Sequence, residues 1–553
     1  MKQFESHQRY FIWVCVFLGV VTTLFNYSFG DNDHIEQLPI IYRTLDPNYL
    51  TNDFFVNSTA GFSPRYYYAQ FVAFFGSFLS IPLFFFIGTL MSNVAISILT
   101  FRNAMLLLGN QRTAITAALS VMVFPTLHLG GDSVLYGSMF TPTTLVFPLI
   151  LLAFYFFLKR RMLLCFMITG IASVFHILIG LEYGLLFLFT WMILDFLKQK
   201  NLNSILNKLP YLLIIIVFSL PNLIPYFQSR APIDDSLFIE ILAYYRHPHH
   251  YVLSEILTKG ELISLSIVLL IIVLTWKTFQ QKVQNKEHSK SIAIITVLLC
   301  GAVLLNWIFV ELIPVKEIVS LQLLRLLNFG KWIFLLLVVH YLNQNPIGKG
   351  NKPREIIVFV GFILLWGLSG LSAIKMPIFL GVGLLIFYLL FTQKTTFLVS
   401  CSLLIVAGIL LLNFINVDAL QPYQKNYFSI SGISENQREV SEFIKSHTDE
   451  DAVFLAPSLF GFLRVETKRA LVVDYKAFPF QELAMKEWYE RIEACYGLKY
   501  NGDYLFHSDE TLRNLSRKYK ADYAILFIQS ETKIPGIYSN SEYKIIDLRP
   551  HAQ

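Results

Sequence analysis

Cysteine is scarce, and what there is offers no pairing pattern. Cys15, Cys165, Cys300 and Cys401 lie inside apolar runs and Cys495 stands alone, so neither a disulfide framework nor a CxxC metal site is available. Charge is scarce as well, with Asp, Glu, Lys and Arg making up only 15% of the 553 residues. The net charge of +6 is scattered. No Lys/Arg block marks a nucleic-acid surface, and no nucleic-acid partner is expected. What is abundant is apolar: hydrophobic residues reach 55% and Phe alone occurs 50 times. That composition is far from a soluble average and suits surfaces that face lipid or its interface.

Apolar runs of about 20 residues, the length a helix needs to cross a bilayer, recur along the chain. The first reads Phe11 to Phe29; it is too long for a signal peptide and has no small-residue cleavage site, so it is taken as a retained helix. Further runs fall near 81–107, 113–128, 143–158, 162–179, 182–197, 208–227, 260–276, 291–313, 328–343, 355–373, 376–392 and 396–415. The expectation is a polytopic α-helical membrane protein of about thirteen spans. Residues 66–80 are aromatic enough to lie along the interface before the second span.

Basic residues set the orientation. With the N-terminus in the cytoplasm, Arg102, Arg112, the Lys159-Arg160-Arg161 cluster, Lys198, Lys200, Lys208, Lys277, Lys282, Lys286, Lys290, Lys349, Lys352, Arg354 and Lys394 all fall on the cytoplasmic side. The opposite loops are longer yet poorer in Lys and Arg. The chain then divides into a transmembrane domain, 1–416, with an acidic first outer loop at 30–65, and an extracytoplasmic tail, 417–553. The tail is polar and reads as α/β. ENQREVSEFIKSH is an amphipathic helix; DAVFLAP, RALVVDY, ADYAILF and YKIIDL are strands, which together predict a small doubly wound domain. It has no GxGxxG or GxxxxGKS loop, so no nucleotide is assigned to it.

In this topology the ionisable residues gather at one face. The stretch FGDNDHIEQLP places Asp31, Asp33, His34 and Glu36 at the mouth of the first span, with Asp53 and Arg65 further along the same loop. Three carboxylates within six residues repel one another unless protonated, metal-bound or paired, and such crowding suits a general base. His128 and Asp132 follow in the second outer loop, and His176 and Glu182 flank a very short outer connection. Arg246, His249 and His250 lie in YRHPHHY, which lacks a third metal ligand at helical spacing. Arg325 sits among leucines in LQLLRLLNF with Gln322 and Asn328 at i−3 and i+3. A lone outer Asp is ordinarily a cap or a solvated residue, and His128 and His176 are as readily bundle-packing histidines. Glu182 and Arg325 resist that account, because an uncompensated charge at membrane depth is expensive.

A cytoplasmic N-terminus, one span, an acidic first outer loop, about a dozen further spans and a terminal α/β domain together resemble the GT-C superfamily of integral-membrane glycosyltransferases. This superfamily includes oligosaccharyltransferase catalytic subunits, protein O-mannosyltransferases and lipid A aminoarabinose transferases. FLRVETKRALVVDYKAFPF also resembles the outer-domain core of uncharacterised bacterial membrane proteins of this type. The resemblance implies a bacterial inner-membrane enzyme of the cell envelope. Its partners would be membrane lipid, a sugar donor on a polyprenyl phosphate or diphosphate, and an acceptor the sequence does not name. It also implies an acid just after the first span as base or metal ligand, here Asp31 or Asp33 with Glu36 beside them, and it allows a divalent cation such as Mg or Mn. The tail has no WWDYG-like motif, and the second outer loop carries Asp132 alone where a DxD pair would stand. Donor phosphate would fall to Arg325, Arg246, His249 and His250, Arg being suited to bidentate phosphate contact. The competing reading is a transporter or flippase of a lipid-linked or anionic substrate, using the same acids for coupling and Arg325 for its substrate.

Overall fold

A computed structural model describes residues 2–60, 62–123, 135–283, 285–345, 353–368, 426–498 and 508–549. Among these, six helices are long and apolar enough to cross a membrane: Ile81–Leu108, Ile177–Gln199, Asn203–Gln228, Glu261–Lys282, Lys286–Leu312 and Lys316–Gln344. Shorter apolar helices cover Phe11–Asn26, Pro142–Leu158 and Met162–Phe175. The chain is accordingly an integral membrane protein with a small sheet domain near its C-terminus. The runs expected at 376–392 and 396–415 lie outside the described residues.

The chain forms two compact units, each assembled from three separate segments. The helical unit comprises Met1–Tyr27, Ile87–Leu220 and Leu242–Lys425. Its core is aromatic: Phe154 meets Phe329 and Trp332 edge-on, with ring centroids 5.0 and 5.7 Å apart. Apolar burial drives little association in lipid, so polar side chains and close backbone approach fix such helices to one another. Asn93 supplies the first, donating to Thr23 Oγ1 (3.0 Å) and the Gly137 carbonyl (2.8 Å) while accepting from Gly137 N–H (2.8 Å). Gly180 supplies the second, since a Cβ there would fall 2.0 Å from the Ser173 nitrogen. That contact lets helices Met162–Phe175 and Ile177–Gln199 fold back on one another across His176.

The second unit comprises Ser28–Phe86, Pro221–Ile241 and Asn426–Gln553. The acidic loop, read from the sequence as part of the transmembrane domain, therefore belongs to the same compact body as the tail. A five-stranded sheet runs through it in the order β2-β1-β3-β5-β4, from β1 (Val453–Leu455), β2 (Ala470–Leu471), β3 (Tyr523–Phe527), β4 (Gly536–Ser539) and β5 (Tyr543–Asp547). β1 pairs parallel with β2 and β3, whereas β5 runs antiparallel to β3 and β4. The sheet is thus mixed where a doubly wound one was expected. β4 went unread because its GIYS is mostly exposed and shows no apolar alternation. Helix Glu435–His447 begins with a capping box in which Ser434 and Gln437 bond each other's backbone N–H. The aromatic segment forms helix Tyr66–Gly76, with Tyr68 buried and Tyr66 and Phe74 exposed.

Candidate functional site

In the sheet-containing unit, the crowded carboxylates are drawn apart by separate partners. Helix His34–Leu45 starts inside the acidic run and turns Glu36 inward, where Arg65 Nη2 meets Glu36 Oε2 at 2.5 Å. Asp33 points the other way, to Lys476 Nζ at 2.7 Å. His34 is fully buried, and its Nδ1 accepts Gly30 N–H at 3.0 Å. Gly30 takes φ +73°, where a Cβ would strike Ile430. Asp31 stays exposed; its Oδ1 accepts the neighbouring Asn32 N–H at 2.7 Å, and it makes no ion pair among the described residues. One loop thus yields one water-facing carboxylate and two paired ones.

Asp53 is buried and structural. Its Oδ2 accepts Arg464 Nε (2.7 Å) and Leu471 N–H (2.9 Å), and its Oδ1 accepts Val56 N–H (3.0 Å). Arg464 also bonds Asp474, whose Oδ1 takes the N–H groups of Lys476 (2.9 Å) and Ala477 (2.8 Å). Burial opposes the Arg464 charge, but Asp53 and then Asp474 outweigh it and hold its pKa above the ordinary value. Asp234 caps helix Asp235–Ile239, accepting Leu237 N–H at 3.2 Å. The Ser236 hydroxyl, and next that N–H, hold its carboxyl below the usual range.

In the helical unit Arg246, His249, His250 and Arg325, expected at a phosphate site, gather around His247. Arg246 ends a π-helical turn, Glu240–Arg246, and His247 follows it into the short helix Pro248–Tyr251. The His249 and His250 ring centroids are 4.1 Å apart, and His247 lies 6.2 and 6.1 Å from them. Burial, and next the charge of Arg246, press the His247 imidazole well below its ordinary pKa; His250, His249 and Arg325 add to this. His247 is therefore neutral at pH 7. Asn306 Nδ2 donates to the Tyr251 carbonyl (2.8 Å) and Gln322 Nε2 to the Tyr251 hydroxyl (2.5 Å). Gln322 Oε1 accepts Arg325 Nε.

Arg325 also acts electrostatically on Glu182, which is 5% exposed and whose two carboxylate oxygens accept no hydrogen bond among the described residues. Glu182 is held one turn into its helix by His176, which caps the start and accepts Ile179 N–H at 3.5 Å. Glu311 accepts the N–H groups of Leu253 (2.7 Å) and Ser254 (3.3 Å). Gln322 and Arg325 fall within the candidate span Lys316–Gln344 but not on its regular helix: Gln322 is left-handed at φ +55° and Arg325 occupies a 3-10 turn, Leu323–Leu326, preceding helix Leu327–Gln344. His128 and Asp132 lie outside the described residues. Among the described residues no group of three or more His, Cys, Asp or Glu is placed to hold a metal ion.

Sequence reasoning passed over Lys476, Arg464, Asp474 and Tyr251, and gave His247 no role. The first three stand within the quoted stretch FLRVETKRALVVDYKAFPF, but a basic residue in a polar tail carries no mark of burial. Several long apolar helices with a folded mixed-sheet unit define the class: a multi-span membrane protein with one folded polar unit. Residues 435–495 match a family described as a domain of unknown function (DUF6798). The match covers helix Glu435–His447, β1, β2 and most of helix Glu482–Tyr496. No curated protein matches the chain.

Proposed function

We propose that this chain is a membrane glycosyltransferase of the GT-C type, with about thirteen spans and a cytoplasmic N-terminus, in a bacterial inner membrane. It moves a sugar from a polyprenyl phosphate or diphosphate to an extracytoplasmic acceptor. The observation that carries this reading is the convergence of Arg246, His249, His250 and Arg325 around neutral His247. A cluster of this sign in an apolar protein suits a lipid-borne phosphate. In the reaction an acceptor hydroxyl gives its proton to a carboxylate as its oxygen attacks the anomeric carbon. The bond from that carbon to the phosphate oxygen breaks, and the electron pair stays on the phosphate, which the guanidinium groups stabilise. Asp31 is the carboxylate assigned as base, because Asp33 and Glu36 are engaged by Lys476 and Arg65.

The test is donor binding and turnover in lipid nanodiscs. Arg325→Lys weakens binding of a prenyl-phosphate sugar by roughly tenfold although the charge is kept, because an ammonium lacks the planar fork. Arg325→Leu weakens it further. Asp31→Asn abolishes transfer and leaves donor binding intact. Normal transfer by both Asp31→Asn and Asp33→Asn overturns the catalytic role of this loop.

One observation favours the transporter reading: the helices near Arg325 are interrupted, by a π turn at Ile308–Leu312 and by the 3-10 turn after left-handed Gln322. Interrupted helices are where transporters bind substrate. Movement of a lipid-linked sugar across proteoliposomes without any new glycosidic product selects that reading over the transferase.

A further inference from the structure

The sheet-containing unit has a groove of about 460 Å³ whose lining includes none of the candidate catalytic or phosphate-binding residues named above. Its walls are Asn52, Asn57 and Ser58 of the acidic-loop segment, Leu471 of the edge strand β2 with Val472 just past it, and Gln481 with Glu487 and Arg491 of helix Glu482–Tyr496. Its size falls within the range of small-molecule sites, about 300–1,000 Å³. Glu487 and Arg491 are its only charged lining residues, and they bond each other, with Arg491 Nε and Nη2 reaching Glu487 Oε1 at 3.0 and 2.7 Å. The lining is therefore charge-balanced and has no preference for a phosphate or a cation.

The donors and acceptors are nevertheless fixed in place. The Arg491 guanidinium lies over the Phe54 and Tyr519 rings, 4.1 and 4.7 Å from their centroids, and Nη1 donates to the Val472 carbonyl at 2.9 Å. One N–H on each terminal nitrogen is left over from these bonds. Asn52 uses its Nδ2 on the Asp451 carbonyl (2.9 Å), which orients the amide and leaves its oxygen as an acceptor. The Gln481 amide makes no hydrogen bond among the described residues and does not cap the helix it precedes. Amides, a hydroxyl and oriented N–H groups beside aliphatic and aromatic carbon, with no net charge, match a neutral polyhydroxylated ligand. Such a ligand presents hydroxyl donors and acceptors on its edges and C–H on its faces.

We propose that this groove binds a neutral oligosaccharide. Its role as the acceptor site rests on the transferase reading; the binding itself does not. The full chain in nanodiscs is offered neutral tri- and tetrasaccharides, carboxylated or phosphorylated counterparts, and separately a prenyl-phosphate sugar, with binding read by saturation-transfer NMR. Neutral saccharides bind the native protein in preference to anionic ones. Gln481→Leu weakens them at least tenfold with an unchanged melting midpoint and unchanged binding of the prenyl-phosphate sugar. Glu487→Gln, which leaves the groove positive, shifts the preference towards anionic saccharides. Absence of neutral-saccharide binding, a native preference for anionic saccharides, or undiminished binding by Gln481→Leu overturns the proposal. Loss of prenyl-phosphate binding in the native protein sinks the transferase reading and leaves the groove standing.

Discussion

The two units bury charge in opposite ways. In the sheet-containing unit a fully buried Arg464 is met by Asp53 and Asp474, and both carboxylates are completed by backbone N–H groups. In the helical unit, buried Glu182 has a guanidinium for company, yet its oxygens accept no hydrogen bond among the described residues. A buried carboxyl whose two oxygens both accept hydrogen bonds is a fastening; a buried carboxyl whose oxygens accept none is available to something else. The comparison teaches that burial of an ionisable group does not by itself mark a functional site. Asp53 and Glu182 are both buried acids, and only the hydrogen-bond inventory separates them.

The sharpest way to break this comparison is Arg464→Leu. It leaves two buried carboxylates without their cation, and a loss of about 3–5 kcal/mol is expected, read as a fall in the denaturant midpoint of the sheet-containing unit. A near-neutral effect would mean that the triad is not a fastening.

The next effect is a coupling between Arg325 and Glu182. Arg325→Leu alone lowers the melting midpoint, and adding Glu182→Gln restores much of it, a coupling of roughly 0.5–3 kcal/mol. The double variant regains stability without regaining donor binding. If Arg325→Leu is as stable as the native protein, Glu182 does not depend on it.

A pH titration sharpens the same contrast. His247 has its folded pKa below its unfolded one, so at acid pH the unfolded chain binds a proton that the folded chain refuses. Stability from this group is complete above the unfolded value of about 6.5 and is lost as pH falls below it. Between pH 7 and pH 5 the helical unit's midpoint therefore drops, and His247→Gln flattens that slope. An equal slope in the variant places the acid sensitivity elsewhere.

The smallest effect is at the half-exposed pair of Asp33 and Lys476. Asp33→Asn changes stability by no more than about 1 kcal/mol, and less at high salt. A larger loss would make Asp33 a fastening like Asp53.

The apolar helices and four of the five strands, β1, β2, β3 and β5, were legible in sequence because periodicity and run length are local properties. β4 was not, because its pairing is set by a hairpin partner rather than by its own pattern. The cation cluster was legible in part: Arg246, His249, His250 and Arg325 could be named from their unlikely surroundings, but His247, the residue all four act on, looked like its neighbours. The division of labour in FGDNDHIEQLP was not legible at all. Whether a carboxylate becomes a base or a strut depends on Arg65 and Lys476, and the latter lies 443 residues from Asp33.

Those separations have a consequence for how the protein is made. The contacts that complete the sheet-containing unit join Phe29 to Ser431, Asp53 to Arg464 and Asp33 to Lys476, across 402, 411 and 443 residues. At roughly 5–20 residues per second of synthesis, the ribosome needs on the order of 20–80 seconds to travel from Asp53 to its partner. Throughout that interval the first-made segment has its hydrophobic side chains and its acids but neither the sheet nor the arginine that will hold them. The segment from Ser431 to Lys476 thus acts as a licensing step for the earlier segment that holds Phe29, Asp33 and Asp53. A nascent chain that stalls before Arg464 presents quality control with an early loop that cannot close.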